Sequence, residues 1–331
     1  MEKIILDCDP GHDDAIAILL AAASPEIDLL GITTVAGNHT IDNVTRNALS
    51  VCTVFGIRVP VARGSEGPLV IDQVIAEEIH GTTGLDGPYL PPASFDLDPR
   101  HAVDFIIETV MAHEPNTVTL VPVGPYTNIA LAARKEPRIV DRVKQVIVMG
   151  GAYTRGNITP AAEFNIYADP DAAHVVFSAG WDVTMIGLDL TQHQALATPE
   201  LQERVRAIGG DISTFILDTW DFVHTTHNGL LDIPYPAIHD ACCVAAVIAP
   251  DIITTENADV RVELEGRWTK GQTVANFESA SGMRHFGGTA SAQTDYRTKV
   301  AITLDADRFA DLIVDSAAHL TAAKASTTAT L

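Results

Sequence analysis

Four aspartates, Asp7, Asp9, Asp13 and Asp14, crowd the stretch Lys3-Ile-Ile-Leu-Asp-Cys-Asp-Pro-Gly-His-Asp-Asp-Ala15. Like charges a few ångströms apart repel by about 4 kcal/mol at an effective dielectric of 20. The dipole of a first helical turn compensates one or two such charges, not obviously four. A hard divalent cation would offset the repulsion, because such ions gather carboxylate and carbonyl oxygens and waters. The plainer reading treats the residues one by one, with Asp13 capping a helix, Asp14 extending into solvent and Asp7 ending a strand. The cluster as a whole points to a metal site. Further along, Glu163 and Asn165 stand two apart in Ala162-Glu-Phe-Asn-Ile-Tyr-Ala-Asp-Pro170. Read as extended chain, they face one side and Phe164 the other. A carboxylate beside a carboxamide supplies both the acceptors and the donors a polyol needs. Asp240, after His239 and before an apolar helix, is a helix cap or a last metal carboxylate. His80 lies in Ile79-His-Gly-Thr-Thr-Gly-Leu-Asp-Gly-Pro88, where a lone histidine reads locally as structural.

These groups need a frame to bring them together. Residues 3–6 form an apolar run, broken at Pro10-Gly11, and a helical pattern follows. Residues 29–35, 58–62, 118–123, 145–149 and 182–186 read as strands. Residues 44–55, 102–112, 129–134, 171–178 and 199–223 read as helices. This alternation predicts an α/β fold: an open, mostly parallel sheet with helices on both faces. Residues 260–264, 272–277 and 299–304 add strands near the C-terminus, and 312–323 lie in a terminal helix. Ligands of such sheets bind at the carboxyl ends of the strands, which is where Asp9 falls. The second strand end, Gly124-Pro-Tyr-Thr-Asn128, lies on the same edge. A backbone carbonyl there suits a hard cation, while Thr127 or Asn128 can cap the next helix. Residues 64–100 are an irregular stretch of the kind that serves as a lid or a surface excursion. Residues 221–236 are a candidate second wall or lid.

The chain has 331 residues, 47% of them hydrophobic and 19% charged, with a net charge of −22. So acidic a surface argues against nucleic acid or anionic membrane as a partner and suits a cation. Four cysteines, Cys8, Cys52, Cys242 and Cys243, form no CxxC pair and no disulfide framework. No leader or membrane span is read, so cytoplasm is the expected location. Without repeats or linkers, residues 1–325 are expected to form a single domain, with 326–331 as a disordered tail.

The first motif resembles the signature of the calcium-dependent nucleoside hydrolases. Val-Ala-Gly-Asn38, His80-Gly-Thr-Thr-Gly-Leu-Asp-Gly, Gly124-Pro-Tyr-Thr-Asn, Met149-Gly-Gly, Ala162-Glu-Phe-Asn165 and His239-Asp240 match in the same order, from about residue 3 to about residue 305. The resemblance implies a Rossmann-like nucleoside hydrolase fold and hydrolysis of ribonucleosides to ribose and free base. It implies Ca2+ held by Asp9, Asp14, Asp240 and the main-chain carbonyl of Val123, with ribose hydroxyls and one water completing the shell. Asp9 would take a proton from that water. Asp13, Asn38, Asn157, Glu163 and Asn165 would hold the ribose, and Phe164 and Met149 would line sugar and base. His239 would stand near the departing base, and His80 on the loop closing over it. A homodimer or homotetramer is implied as well. The residue types suit an oxocarbenium-like transition state, and a histidine suits protonation of the base near neutral pH.

Two departures from the pattern are visible. Tyr126 stands where leucine is expected. His227, twelve residues before His239, stands where related enzymes carry an aromatic that helps release the base. Residues 278–295 fit no part of the pattern. Two other readings remain: a catalytically silent ribose- or nucleoside-binding protein, and a haloacid-dehalogenase-like phosphatase suggested by Asp7-x-Asp9. The phosphatase reading lacks the expected Thr or Val at Gly11.

Overall fold

The computed structural model describes residues 1–227, 233–277 and 297–328, except for the side chains of 227, 327 and 328. Among the described residues the strands are β1 (Glu2–Cys8), β2 (Ile27–Thr34), β3 (Val61–Arg63), β4 (Val118–Pro122), β5 (Val143–Met149), β6 (Val183–Ile186), β7 (Ile253–Val262), β8 (Thr273–Phe277) and β9 (Thr298–Leu304). They form one sheet in the order β3-β2-β1-β4-β5-β6-β9-β7-β8. Pairing is parallel from β3 through β6 to β9, whereas β7 runs antiparallel to both β9 and β8. The expected α/β architecture, mostly parallel with extra strands near the C-terminus, is therefore what the chain adopts.

Apolar burial explains the framework. β4 is buried along its whole length, as expected of a central strand covered on both faces. The helix His12–Ala23 is buried at ten positions and packs into a cluster with Ala241–Ile248 and Ala306–Thr328 on one face of the sheet. A second cluster, with Phe105, Tyr126, Ile129 and Val176, fills the opposite face. Among the described residues no helix is long and apolar enough to cross a membrane.

Several sequence expectations need correction. The helical stretch 199–223 is two helices, Pro199–Ile208 and Gly210–His227, separated where Gly209 and Gly210 take φ of 71° and 81°. The third strand begins at Val61. The terminal helix continues to Thr328, so the start of the expected tail is helical, and 329–331 lie outside the described residues. So does the segment 278–295.

Candidate active site

The turns after β1, β2, β4 and β5 meet at one rim of the sheet. Asp9, just past β1, is 1% exposed. Its Oδ2 accepts from the Asn38 backbone N–H at 2.6 Å, while its Oδ1 is buried with no hydrogen-bond partner. The chain at Gly37 passes so close that a Cβ there would lie 2.1 Å from Asp9 Oδ2.

Asp14 does not extend into solvent. Its Oδ1 accepts from Asp9 N at 3.0 Å, and its Oδ2 accepts from Gly11 N at 2.9 Å and Asn38 Nδ2 at 3.2 Å. Gly11 holds the helix N-cap position and has no side chain to cap with. The Asp14 carboxylate reaches back instead and satisfies the turn's orphan donors. Asp13 is therefore not the cap. Asp240 has helical backbone angles and its side chain caps nothing. Carboxylate oxygens of Asp13, Asp14 and Asp240 all lie within 4.8 Å of one another. Among the described residues the triple that gathers this closely contains Asp13, and Asp9 adjoins it through its backbone N–H, which donates to Asp14 Oδ1.

Burial dominates the electrostatics. It pushes Asp13 up to about 6 and Asp14 to about 7. Asp9 and Asp240 rise well above the carboxylate range by burial, then by repulsion from the neighbouring aspartates. Among the described residues no lysine or arginine lines the adjoining cavity. A partnerless buried carboxylate oxygen and a close triple of acids, with no lysine or arginine among the described lining residues, make a donor set that fits a hard divalent cation.

The cavity has a volume of about 320 Å³. Asp13, Asn38, His80, Val123, Met149, Asn157, Glu163, Phe164, Asn165, His239 and Asp240 all line it, brought together from separate stretches of chain. Asp9 and Asp14 stand behind this lining. Ile79, Trp220 and Val223 add an apolar wall. His227 ends its helix, and its side chain lies outside the described residues.

The stretch around Glu163 is not extended. Glu163 caps the short helix Phe164–Ala168. Its Oε1 accepts from Asn165 N at 2.9 Å, and its Oε2 accepts from Gly151 N at 2.9 Å and Ile166 N at 3.2 Å. Burial raises its carboxyl to about 7, against the pull of those donors. Because the backbone turns here, Phe164 faces the cavity along with its two neighbours. Asn165 Nδ2 donates to Val123 O at 2.7 Å and to Met149 O at 3.2 Å. The second lone pair of the Val123 carbonyl remains for a ligand. Asn157 Oδ1 accepts from Phe164 N at 2.9 Å.

Tyr126 is fully buried beneath the rim, and its hydroxyl donates to Met149 O at 2.9 Å. It is not a lining residue; it fixes the strand end that is. Neither Thr127 nor Asn128 caps the following helix. Thr127 Oγ1 donates to Asp169 at 2.7 Å, and Asn128 Nδ2 donates to Asp7 Oδ1 at 2.8 Å. Asp7 is accordingly more than a strand end: it is wholly buried, bonded also by Thr33 Oγ1 at 2.5 Å, and pushed by burial to about 7.

His239 Nδ1 lies 2.7 Å from Thr191 Oγ1. Burial lowers its pKa to about 4, so the ring is uncharged at neutral pH, contrary to a histidine tuned near neutrality. Sequence reasoning passed over Thr191 and His12, and read Asn128 only as a helix cap. Only the place of His12 inside the acidic motif signalled it.

The fold and this rim define the class. A purine-preferring ribonucleoside hydrolase from Gardnerella vaginalis superposes with a TM-score of 0.86 at 32% identity, covering 96% of this chain and 99% of that one. Residues 4–311 match the family described as inosine-uridine preferring nucleoside hydrolase. The chain belongs to that family, and it is a ribonucleoside hydrolase. An inosine-uridine preferring nucleoside hydrolase of Leishmania major is 51% identical over 316 residues, 95% of this chain and 96% of the relative. The pyrimidine-specific ribonucleoside hydrolase RihB of Escherichia coli is 44% identical over 311 residues, 94% and 95% of the two chains.

Proposed function

We propose that this chain hydrolyses the N-glycosidic bond of ribonucleosides in the cavity at the sheet rim, with calcium as cofactor and Asp9 as base. The observation that carries the reading is the partnerless Oδ1 of Asp9 among buried carboxylates. Asp9, Asp14, Asp240 and the Val123 carbonyl would hold the ion, which when bound neutralises the acids and acts as a Lewis acid. Asp9 Oδ1 then accepts the proton of the attacking water. Asp13, Asn38, Asn157, Glu163 and Asn165 hold the ribose hydroxyls. The acids among them also face the positive charge that grows on the sugar as the bond to the base lengthens. Met149 and Phe164 pack against sugar and base. His239, uncharged, offers the departing base a hydrogen bond rather than a full proton, and His80 stands beside the base. Trp220 and Val223 exclude water from that end.

The four cysteines are free and buried, which supports a reducing compartment and a cytoplasmic enzyme. Incubation with inosine, uridine, cytidine and adenosine, followed by assay of free ribose, tests the proposal. Ribose should appear from at least one of them, stop with a strong chelator and return with calcium. Tight binding of nucleosides without ribose release would overturn it in favour of a silent binding protein.

A further inference from the structure

Tyr126, three residues after Val123, holds the N-cap position of the helix Thr127–Lys135 and is fully buried. Its ring meets Phe177 edge-on, with centroids 6.2 Å apart at 63°. Its hydroxyl donates to Met149 O at 2.9 Å. Burial, then the nearby Glu163 carboxylate, push the hydroxyl's pKa well above its ordinary value, so it stays a donor. The backbone makes room for this contact: a Cβ at Gly150, where φ is 150°, would collide with the hydroxyl.

Among the described residues, sheet pairing stops short of the two strand ends that meet here. β4 and β5 pair from Val118 opposite Val143 to Leu120 opposite Val146, and Val123 and Met149 each lie three residues beyond that last pair. Two side chains span the gap instead. Asn165 Nδ2 donates to Val123 O at 2.7 Å and to Met149 O at 3.2 Å. Tyr126, carried on the Val123 side, donates to the same Met149 oxygen. A carbonyl has two lone pairs, so hydroxyl and amide together fill it. Without the hydroxyl one buried lone pair goes unmet, and the Asn165 amide is left to set the width of the gap by itself.

We propose that Tyr126 is a positioning residue: its hydroxyl fixes the Met149 carbonyl, and with it the gap that the Asn165 carboxamide spans, so that Asn165 is held in place to receive the ribose. This rests on the cavity being the ribonucleoside site, with Asn165 on the sugar. A neutral amide meets bound substrate and transition state alike, so its displacement raises KM more than it lowers kcat.

Three substitutions test it. Tyr126→Phe deletes the hydroxyl and keeps the ring against Phe177. At saturating calcium it should raise KM about tenfold, the scale of one hydrogen bond left unmet, with a smaller change in kcat. Adding it to Asn165→Ala should raise KM no further, because the effect passes through Asn165. Phe177→Leu loosens the packing of the ring and keeps the hydroxyl, so it should lower the thermal midpoint and leave KM unchanged. The side-chain amide signals of Asn165, identified by their loss in Asn165→Ala, report the contact in substrate-free protein. They should shift and exchange faster with solvent in Tyr126→Phe and stay in place in Phe177→Leu. Unchanged amide signals in Tyr126→Phe, KM effects that add in the double variant, or an equal rise of KM in Phe177→Leu would overturn the proposal. Those spectra need no turnover, so they stand apart from any failure of the nucleoside reading.

Discussion

Asp9→Asn separates the chemical role of the acidic rim from its structural one. The substitution keeps side-chain volume, and the carboxamide oxygen can still accept from Asn38 N, now 2.6 Å from Oδ2. It deletes the charge and the basicity at Oδ1. Removing a general base lowers turnover by typically 10²–10⁴-fold, or about 3–5 kcal/mol of barrier. Stability should respond differently. Burial and Asp14 hold Asp9 well above the carboxylate range, which in metal-free protein favours the neutral acid over the carboxylate. Asparagine resembles that acid, and the thermal midpoint in chelator should shift by no more than about 1 kcal/mol implies. The response to calcium should shrink. At a hundredfold excess over Kd a bound ion stabilises by about 2.7 kcal/mol, and a tenfold weaker site by about 1.4. Ribose release and thermal melts with and without calcium measure all three quantities. Turnover within tenfold of the unaltered enzyme would refute Asp9 as base. Collapse of the midpoint in chelator would show that the residue serves the fold instead.

Further outcomes follow from the other buried groups. In chelator, the acids whose folded pKa is raised stabilise fully below their unfolded values and lose that contribution as pH rises through about 6 for Asp13 and about 7 for Asp7, Asp14 and Glu163. A shift of the size of Asp7's corresponds to about 4 kcal/mol, so the metal-free midpoint should fall between pH 4 and 8 and calcium should raise it most at the upper end. A metal-free midpoint that climbs over this range contradicts the account. Asn128→Asp replaces the Nδ2 donor that Asp7 Oδ1 and Thr34 O share at 2.8 and 2.9 Å with a second buried carboxylate, at a cost of about 3–5 kcal/mol in urea unfolding; an unchanged urea midpoint would count against the pairing. His239→Ala should slow inosine more than a riboside with a better leaving group, and equal losses across the series would remove His239 from the departing base. Because burial holds His239 near 4, its titration should leave no limb in the kcat profile between pH 6 and 8.

Much of the fold was legible because it is written locally. A parallel sheet buried on both faces shows as short apolar runs, and β1, β2, β4, β5 and β6 stand within a few residues of where those runs placed them. The acidic turn was legible for a related reason. Charge crowding such as Asp7-x-Asp9 with Asp13 and Asp14 is a property of adjacent residues, and a first strand ending in Pro-Gly puts it on the binding edge. The resemblance then supplied the partners from distant stretches, and every one of them whose side chain is described lines the cavity or bonds to a residue that does.

Local pattern failed where a side chain's use depended on what lay across the rim. Glu163 looked extended, yet its carboxylate is claimed by Gly151 N as well as by its own helix. Asn128 had the sequence position of a cap and serves Asp7 instead, 121 residues away. Asp240 opens a helix without capping it, because it faces Asp13 and Asp14. The sequence determined which segments are strands and helices and where acidic oxygens gather, since periodicity and charge spacing act within one turn or strand. Tertiary structure decided which oxygens stay unpaired, which histidine is forced neutral and which two histidines touch across 68 residues, because burial and hydrogen-bond competition are settled only by what packs alongside.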